Sequence, residues 1–159
     1  MAVKSLRLIG DHPIWCGPVA VALIAGCSVN IAAQLYANLQ NAKYRSTRFR
    51  DRLSSRSVSG VSDVETASVL SILGYDVHLV AGMAGFPVRS LDRWLTNLDS
   101  EIKVLIVIEC HYLVAFEQQI SDNQVQNVPA CHHPYSDSTI RHAWAVRRKP
   151  IVDGTALAA

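Results

Sequence analysis

The sequence predicts an α+β fold, with N-terminal helices packed on a C-terminal antiparallel sheet. Two observations carry this: apolar residues recur at helical spacing through the first half, and the second half changes to short alternating runs separated by polar breaks. Helical patterns first and strands later is the order of α+β proteins rather than of βαβ units.

The first element is the run Val19 to Ala25, introduced by Gly17-Pro18 and followed by Gly26. Proline is tolerated in a first helical turn, where its missing N–H has no partner to lose, and a run apolar on every side suits a fully buried helix. Ser28 can cap a second helix with Ile31, Leu35, Tyr36 and Leu39 on one face, to about Asn41. From Lys43 to Gly60 the stretch "KYRSTRFRDRLSSRSVSG" has no apolar face and reads as an exposed basic loop. Ser62 and Glu65 form a capping box for a third helix with Val64, Ala67, Val69, Leu70 and Leu73 inward, closed by Gly74.

"YDVHLVA" alternates as a strand, with Val77 and Leu79 on one face, and the turn-rich "GMAGFP" follows. Ser90 can cap a short helix "LDRWLTNL" with Leu91, Trp94, Leu95 and Leu98 on one side. "KVLIVIE", "HYLVAFE", "QISDN" and "TIRHAWAVRR" supply the sheet. The expected organisation is one domain over residues 1–149, with a loose tail from 150 to 159.

Composition narrows the function. The chain has 159 residues, is 50% hydrophobic and 18% charged, and carries a formal charge of +2. That is the profile of a compact globular domain, and the charge does not by itself indicate a nucleic-acid binder. The start has no apolar region with a small-residue cleavage site, and the longest apolar run is far short of the ~20 residues needed to span a bilayer. A cytoplasmic protein with reduced cysteines and no membrane partner is expected, because Cys16, Cys27, Cys110 and Cys131 are scattered through a chain large enough not to need disulfides.

Of the four sulfurs, Cys16 has the position of a nucleophile. It stands at a helix start, where the dipole favours a thiolate, and Gly17 leaves room for a substrate. A thiolate needs a base, and His111 lies at the junction of two apolar strands in "VLIVIECHYLVAF". A chain reversal at Glu117-Gln118 sets Phe116 opposite Gln119 and Leu113 opposite Asp122. Asp122 is then diagonal to His111, within the ~7 to 8 Å that side chains close, and can fix the imidazole tautomer. A turn one residue later makes Asn123 or Asn127 the orienting residue instead.

These residues resemble the papain-like cysteine peptidase superfamily. "WCGPVAVALI", the capped helix ending in "LSILGYDV", the strand into "CHYLVAF" and the hairpin to "SDN" are similar to its short bacterial and phage members related to the double-glycine peptidases. The resemblance spans roughly residues 8 to 147. It implies a peptide or protein substrate, an amide bond cleaved through a thioacyl intermediate, and no cofactor. It assigns Cys16 as nucleophile, His111 as general base and acid, and Asp122 as orienter. One departure concerns the oxyanion: members usually carry a glutamine shortly before the cysteine, and "LIGDHPIW" has none. The Cys16 N–H can be one donor, with His12 the candidate for the second.

Other residue groups have blander readings. The arginines at 45, 48, 50, 52 and 56 suit a solvated loop, with Arg48 and Arg50 as candidate contacts to a substrate or partner and nucleic acid as the alternative. A catalytically weak binding protein using this loop is the competing function. Trp15, Trp94 and Trp144 read as core, although Trp15 adjoins the nucleophile and is a candidate substrate contact. Cys27 reads as a small buried hydrophobe. Cys110, His111, Cys131, His132, His133 and His142 have the side chains of a zinc site. Adjacent strand residues face opposite ways, however, and no closely spaced cysteine pair exists, so no metal is expected.

Overall fold

The computed structural model describes residue 6 and residues 15–44, 62–109 and 111–150. Among these the chain forms four α-helices and one six-stranded, wholly antiparallel sheet, an α+β arrangement with three long N-terminal elements helical and the sheet following. The expected loose tail lies outside the described residues apart from Pro150, and the basic loop lies outside them beyond Tyr44.

Helix α1 (Cys16–Ala25) begins at Trp15 and ends at Gly26, whose φ of +67° puts it in the left-handed region that glycine occupies without strain. Gly17 to Ile24 are all buried, as an apolar surface on every side requires. Helix α2 (Val29–Tyr44) starts where Ser28 Oγ accepts from the Ile31 N–H at 3.3 Å and runs three residues past the predicted end. Helix α3 (Asp63–Ile72) carries the complete Ser62–Glu65 capping box.

The buried faces of α2 and α3 match the predicted ones in part: Tyr36, Val69 and Leu70 are buried as expected. Val29, Ala32 and Tyr36 point inward on α2, while Ile31 is 52% exposed; on α3 Thr66, Val69 and Leu70 are buried and Val64 is exposed. Thr66 is the residue an apolar pattern passes over, and its hydroxyl has a partner in the core. Tyr36 Oη donates to Thr66 Oγ1 at 2.9 Å, so each satisfies the other inside the core.

Strand β1 (Tyr75–Leu79) is an edge strand, followed by a 3₁₀ turn (Val88–Ser90) and the single-turn helix α4 (Leu91–Leu95). Ser90 does not cap α4: it already has helical backbone angles, and its hydroxyl donates back to the Pro87 carbonyl at 2.6 Å. Then come β2 (Lys103–Ile108), β3 (His111–Phe116), β4 (Gln119–Ser121), β5 (Val128–Pro129) and β6 (His142–Arg148), in the spatial order β1-β6-β2-β3-β4-β5. The two-residue β5 is too short for any periodicity to announce it.

Each sheet face is covered. Leu105, Val107, Tyr112, Val114 and Phe116 meet α1, α2 and α3 on one side. Val104, Ile106, Leu113, Ala115 and Ile120 meet Met83, Val88, Leu91 and Leu95 on the other. β2 is therefore apolar along nearly its whole length, as a strand buried on both faces must be.

Helix α1 lies along β3. Ten helical residues span about 15 Å, comparable to the roughly 20 Å of a six-residue strand. The far end is fixed by Lys103, which donates to the Ile24 carbonyl and sits 5.6 Å from the centre of the Phe116 ring. A cation there complements the negative end of the helix. The near end, carrying Cys16, is thereby held beside the first residue of β3, which is His111.

Candidate active site

Cys16 is the first residue of α1, partly buried against the helix-covered face of the core. The Trp15 side chain does not cap the helix, and the first turn holds no acidic residue, so the dipole field at the sulfur is not neutralised locally. Burial pushes the Cys16 thiol up, but a hydrogen bond and charge from His111 outweigh it, helped by the Tyr112 and Gly17 N–H groups. The net result is a thiol below its ordinary value.

The hairpin that supplies His111 turns at Glu117-Gln118. Both residues have positive φ, 45° and 68°, as a two-residue turn matched to strand twist requires. The register sets Phe116 opposite Gln119, Ala115 opposite Ile120 and Val114 opposite Ser121. One step further brings Asp122 to the His111 side of the sheet, and His111 Nε2 lies 2.8 Å from Asp122 Oδ2. With Nε2 engaged there, Nδ1 is the nitrogen left for the sulfur. Burial pushes the imidazole down, but the Asp122 hydrogen bond and then the Cys16 hydrogen bond and charge raise it to about 9.

Asp122 is itself tightly held, at 1% exposure. Its Oδ1 accepts from the Gln124 and Val125 N–H groups, both at 2.7 Å, while its own N–H donates to the Val125 carbonyl at 2.8 Å. The loop after β4 is thus folded around the carboxylate. Burial raises its pKa, but donation from His111, His133, Val125 and Gln124 prevails and holds it far below the usual carboxylate range.

Two residues at this site escape sequence reasoning. His133 is 2% exposed, and its Nε2 lies 3.6 Å from Asp122 Oδ2. The Tyr135 ring packs against His111 with centroids 4.8 Å apart, and against His133 at 5.8 Å. Both arrive on an irregular segment after β5, where no strand register reaches. In the sequence His133 stands out only as one of the zinc-type side chains, and Tyr135 not at all. Among the described residues no group of three or more His, Cys, Asp or Glu is placed to hold a metal ion.

Asn127 does different work from the orienting role open to it in the shifted register. Its side chain accepts from the Leu6 N–H and donates to the Leu6 carbonyl, each at 2.9 Å, and its N–H donates to Ser121 Oγ at 2.9 Å. It clamps Leu6 to the loop that holds Asp122, in a left-handed conformation with φ +56°. Asn127→Gly, which tolerates that φ, is expected to cost about 1 to 2 kcal/mol in denaturant unfolding. Asn127→Ala should cost about 1 kcal/mol more through backbone strain. Neither should bring a comparable loss of turnover.

The remaining candidates divide. Trp15 precedes α1 and packs partly against the core. Gly17 is buried in the first turn rather than open to a substrate, because α1 is enclosed on all sides, and it contributes its N–H to the sulfur. Cys27 is only half-buried, since it lies between α1 and α2 at the rim of the core. Trp94 is 39% exposed, paired with Phe86 at 6.4 Å rather than enclosed. His12, Arg48, Arg50 and the Cys110 side chain lie outside the described residues. Among those described, no helix is long and apolar enough to cross a membrane. No family model matches the chain, and neither a curated protein nor a solved structure matches it.

Proposed function

We propose that this protein is a papain-like cysteine hydrolase that cleaves an amide bond in a peptide or protein through a Cys16 thioacyl intermediate. One observation carries the reading: a thiol at a helix start hydrogen-bonds an imidazole whose opposite nitrogen is held at 2.8 Å by a buried carboxylate. Depressed thiol, raised imidazole and ionised aspartate together favour a thiolate–imidazolium pair at neutral pH.

In this mechanism the thiolate attacks the carbonyl carbon, and the oxyanion forms at the positive N-terminal end of α1. The Cys16 N–H is one donor and His12 the candidate for the other. The amine leaves with the proton of His111, so the thioacyl-enzyme holds a neutral imidazole. His111 then takes a proton from water as that water attacks the thioester, and the thiolate is the leaving group. Asp122 remains ionised throughout and keeps the Nε2–H tautomer in place. Which acceptor reaches the thioester decides between proteolysis, deamidation, deconjugation and acyl transfer.

The reading is tested by incubating the protein with a p-nitrophenyl ester as acyl donor and with a mixture of unlabelled peptides, then identifying adducts and products by mass spectrometry. The expected adduct sits on Cys16, and Cys16→Ala abolishes both adduct and cleavage; acylation spread evenly over Cys16, Cys27 and Cys131 contradicts it. The rate should follow a bell. It rises as the pair forms and falls as His111 loses its proton near pH 9, the two limbs belonging to the coupled pair rather than to either residue. Cleavage that keeps rising through pH 10 contradicts an imidazolium donor.

A further inference from the structure

The Asp122 carboxylate faces two imidazoles through the same oxygen. His111 Nε2 lies 2.8 Å from Oδ2 and His133 Nε2 3.6 Å from it. His133 is enclosed, and its Nε2 is a buried side-chain nitrogen without a hydrogen bond of normal length. Its tautomer is set from the other side: Nδ1 accepts from the Tyr135 N–H at 3.2 Å, so the proton is on Nε2. A buried N–H is costly to leave unmatched, and this one is aimed at an ionised carboxylate. Tyr135 connects the two histidines, since its ring lies over both while its N–H fixes the second.

We propose that His133 is a positioning residue of the site, whose Nε2–H shares Asp122 Oδ2 with His111 and so fixes the carboxylate and limits its pull on the catalytic imidazole. The inference rests on the hydrolase reading, in which His111 is the proton carrier. Asp122 then has a donor on every side: two backbone N–H groups on Oδ1, and one imidazole N–H shared by each histidine on Oδ2. Four donors leave the carboxylate no other orientation. The groups facing Oδ2 are His111 and His133, with Cys16 beyond His111 and the Tyr135 ring against both.

Removing the second donor leaves more of the carboxylate's charge for His111, which should then hold its proton more tightly. His133→Leu, which fills the space without a donor, is expected to raise the His111 titration midpoint by about half a pH unit, or threefold in proton affinity. His133→Gln, which can place an N–H near the Nε2 position, should return it to the wild-type value. The midpoints are read by NMR of the His111 ring and need no substrate. Identical midpoints in all three proteins overturn the role of His133, because a space-filling residue would leave them unmoved. A wild-type protein whose Cys16 is not alkylated by iodoacetamide ahead of Cys27 overturns the hydrolase reading instead. Should His133→Leu fail to fold, the ring ¹⁵N spectrum of the wild-type protein decides: an Nε2–H tautomer at His133 supports the proposal, and an Nδ1–H tautomer overturns it.

Discussion

Replacing His111 by alanine is expected to lower amide cleavage by about 10⁴-fold or more. Two losses combine. The leaving amine has no proton donor, and the thiol loses the hydrogen bond and charge that oppose its burial. With burial then largely unopposed, Cys16 should titrate above its wild-type value and be mostly thiol at neutral pH. Stability should fall as well, by a few kcal/mol, because the buried Asp122 carboxylate loses its 2.8 Å partner, but far less than the loss of turnover implies. The assay is product release from a cleaved peptide, with thermal unfolding measured alongside. A loss of turnover that tracks a loss of folded protein would point to a structural histidine instead.

The second large effect belongs to Asp122→Asn. The carboxamide oxygen can still accept from the Gln124 and Val125 N–H groups, so the loop should keep its shape. Its NH₂ then faces His111 Nε2, a donor meeting what was a donor. The imidazole is expected to move its proton to Nδ1, where it points at the sulfur and cannot accept the thiol proton. Turnover should fall by about 10⁴-fold from the inverted tautomer alone. Unfolding should cost about 1 to 3 kcal/mol less at pH 7 through weakened charge-assisted hydrogen bonds. The pH dependence of that difference has a definite sign. Asp122 has a depressed folded-state pKa, so its stabilisation is present above the unfolded value of about 3.9 and is lost as pH falls through the folded one. The stability gap between wild type and Asp122→Asn should therefore narrow in acid, as shown by urea unfolding at pH 7 and pH 3.

Much of this site was legible because its key spacing is local. His111 and Asp122 are eleven residues apart on one hairpin, and strand alternation with a two-residue turn determines who faces whom. The helix start at Cys16 was equally plain from Gly17-Pro18 and the apolar run beyond. What resisted reading is non-local. His133 and Tyr135 reach Asp122 and His111 by way of a two-residue strand and an irregular turn, which leave no periodic signal. On α3 a pattern built on apolar residues passes over Thr66, which the core buries because its hydroxyl is matched by Tyr36. Gly17 looked like room for a substrate because a sequence shows a small residue but not the layer packed over it.

The central claim is that Cys16, alone of the described cysteines, is ionised by an imidazole. The measurement that addresses it most directly is the pH dependence of alkylation by iodoacetamide, read peptide by peptide in the folded protein. Cys27 is the internal control, because burial pushes its thiol up. The expected result is a Cys16 midpoint below the ordinary thiol range and well separated from that of Cys27, with the separation lost in His111→Ala. A Cys16 midpoint that coincides with that of Cys27, or one that His111→Ala leaves in place, would contradict it.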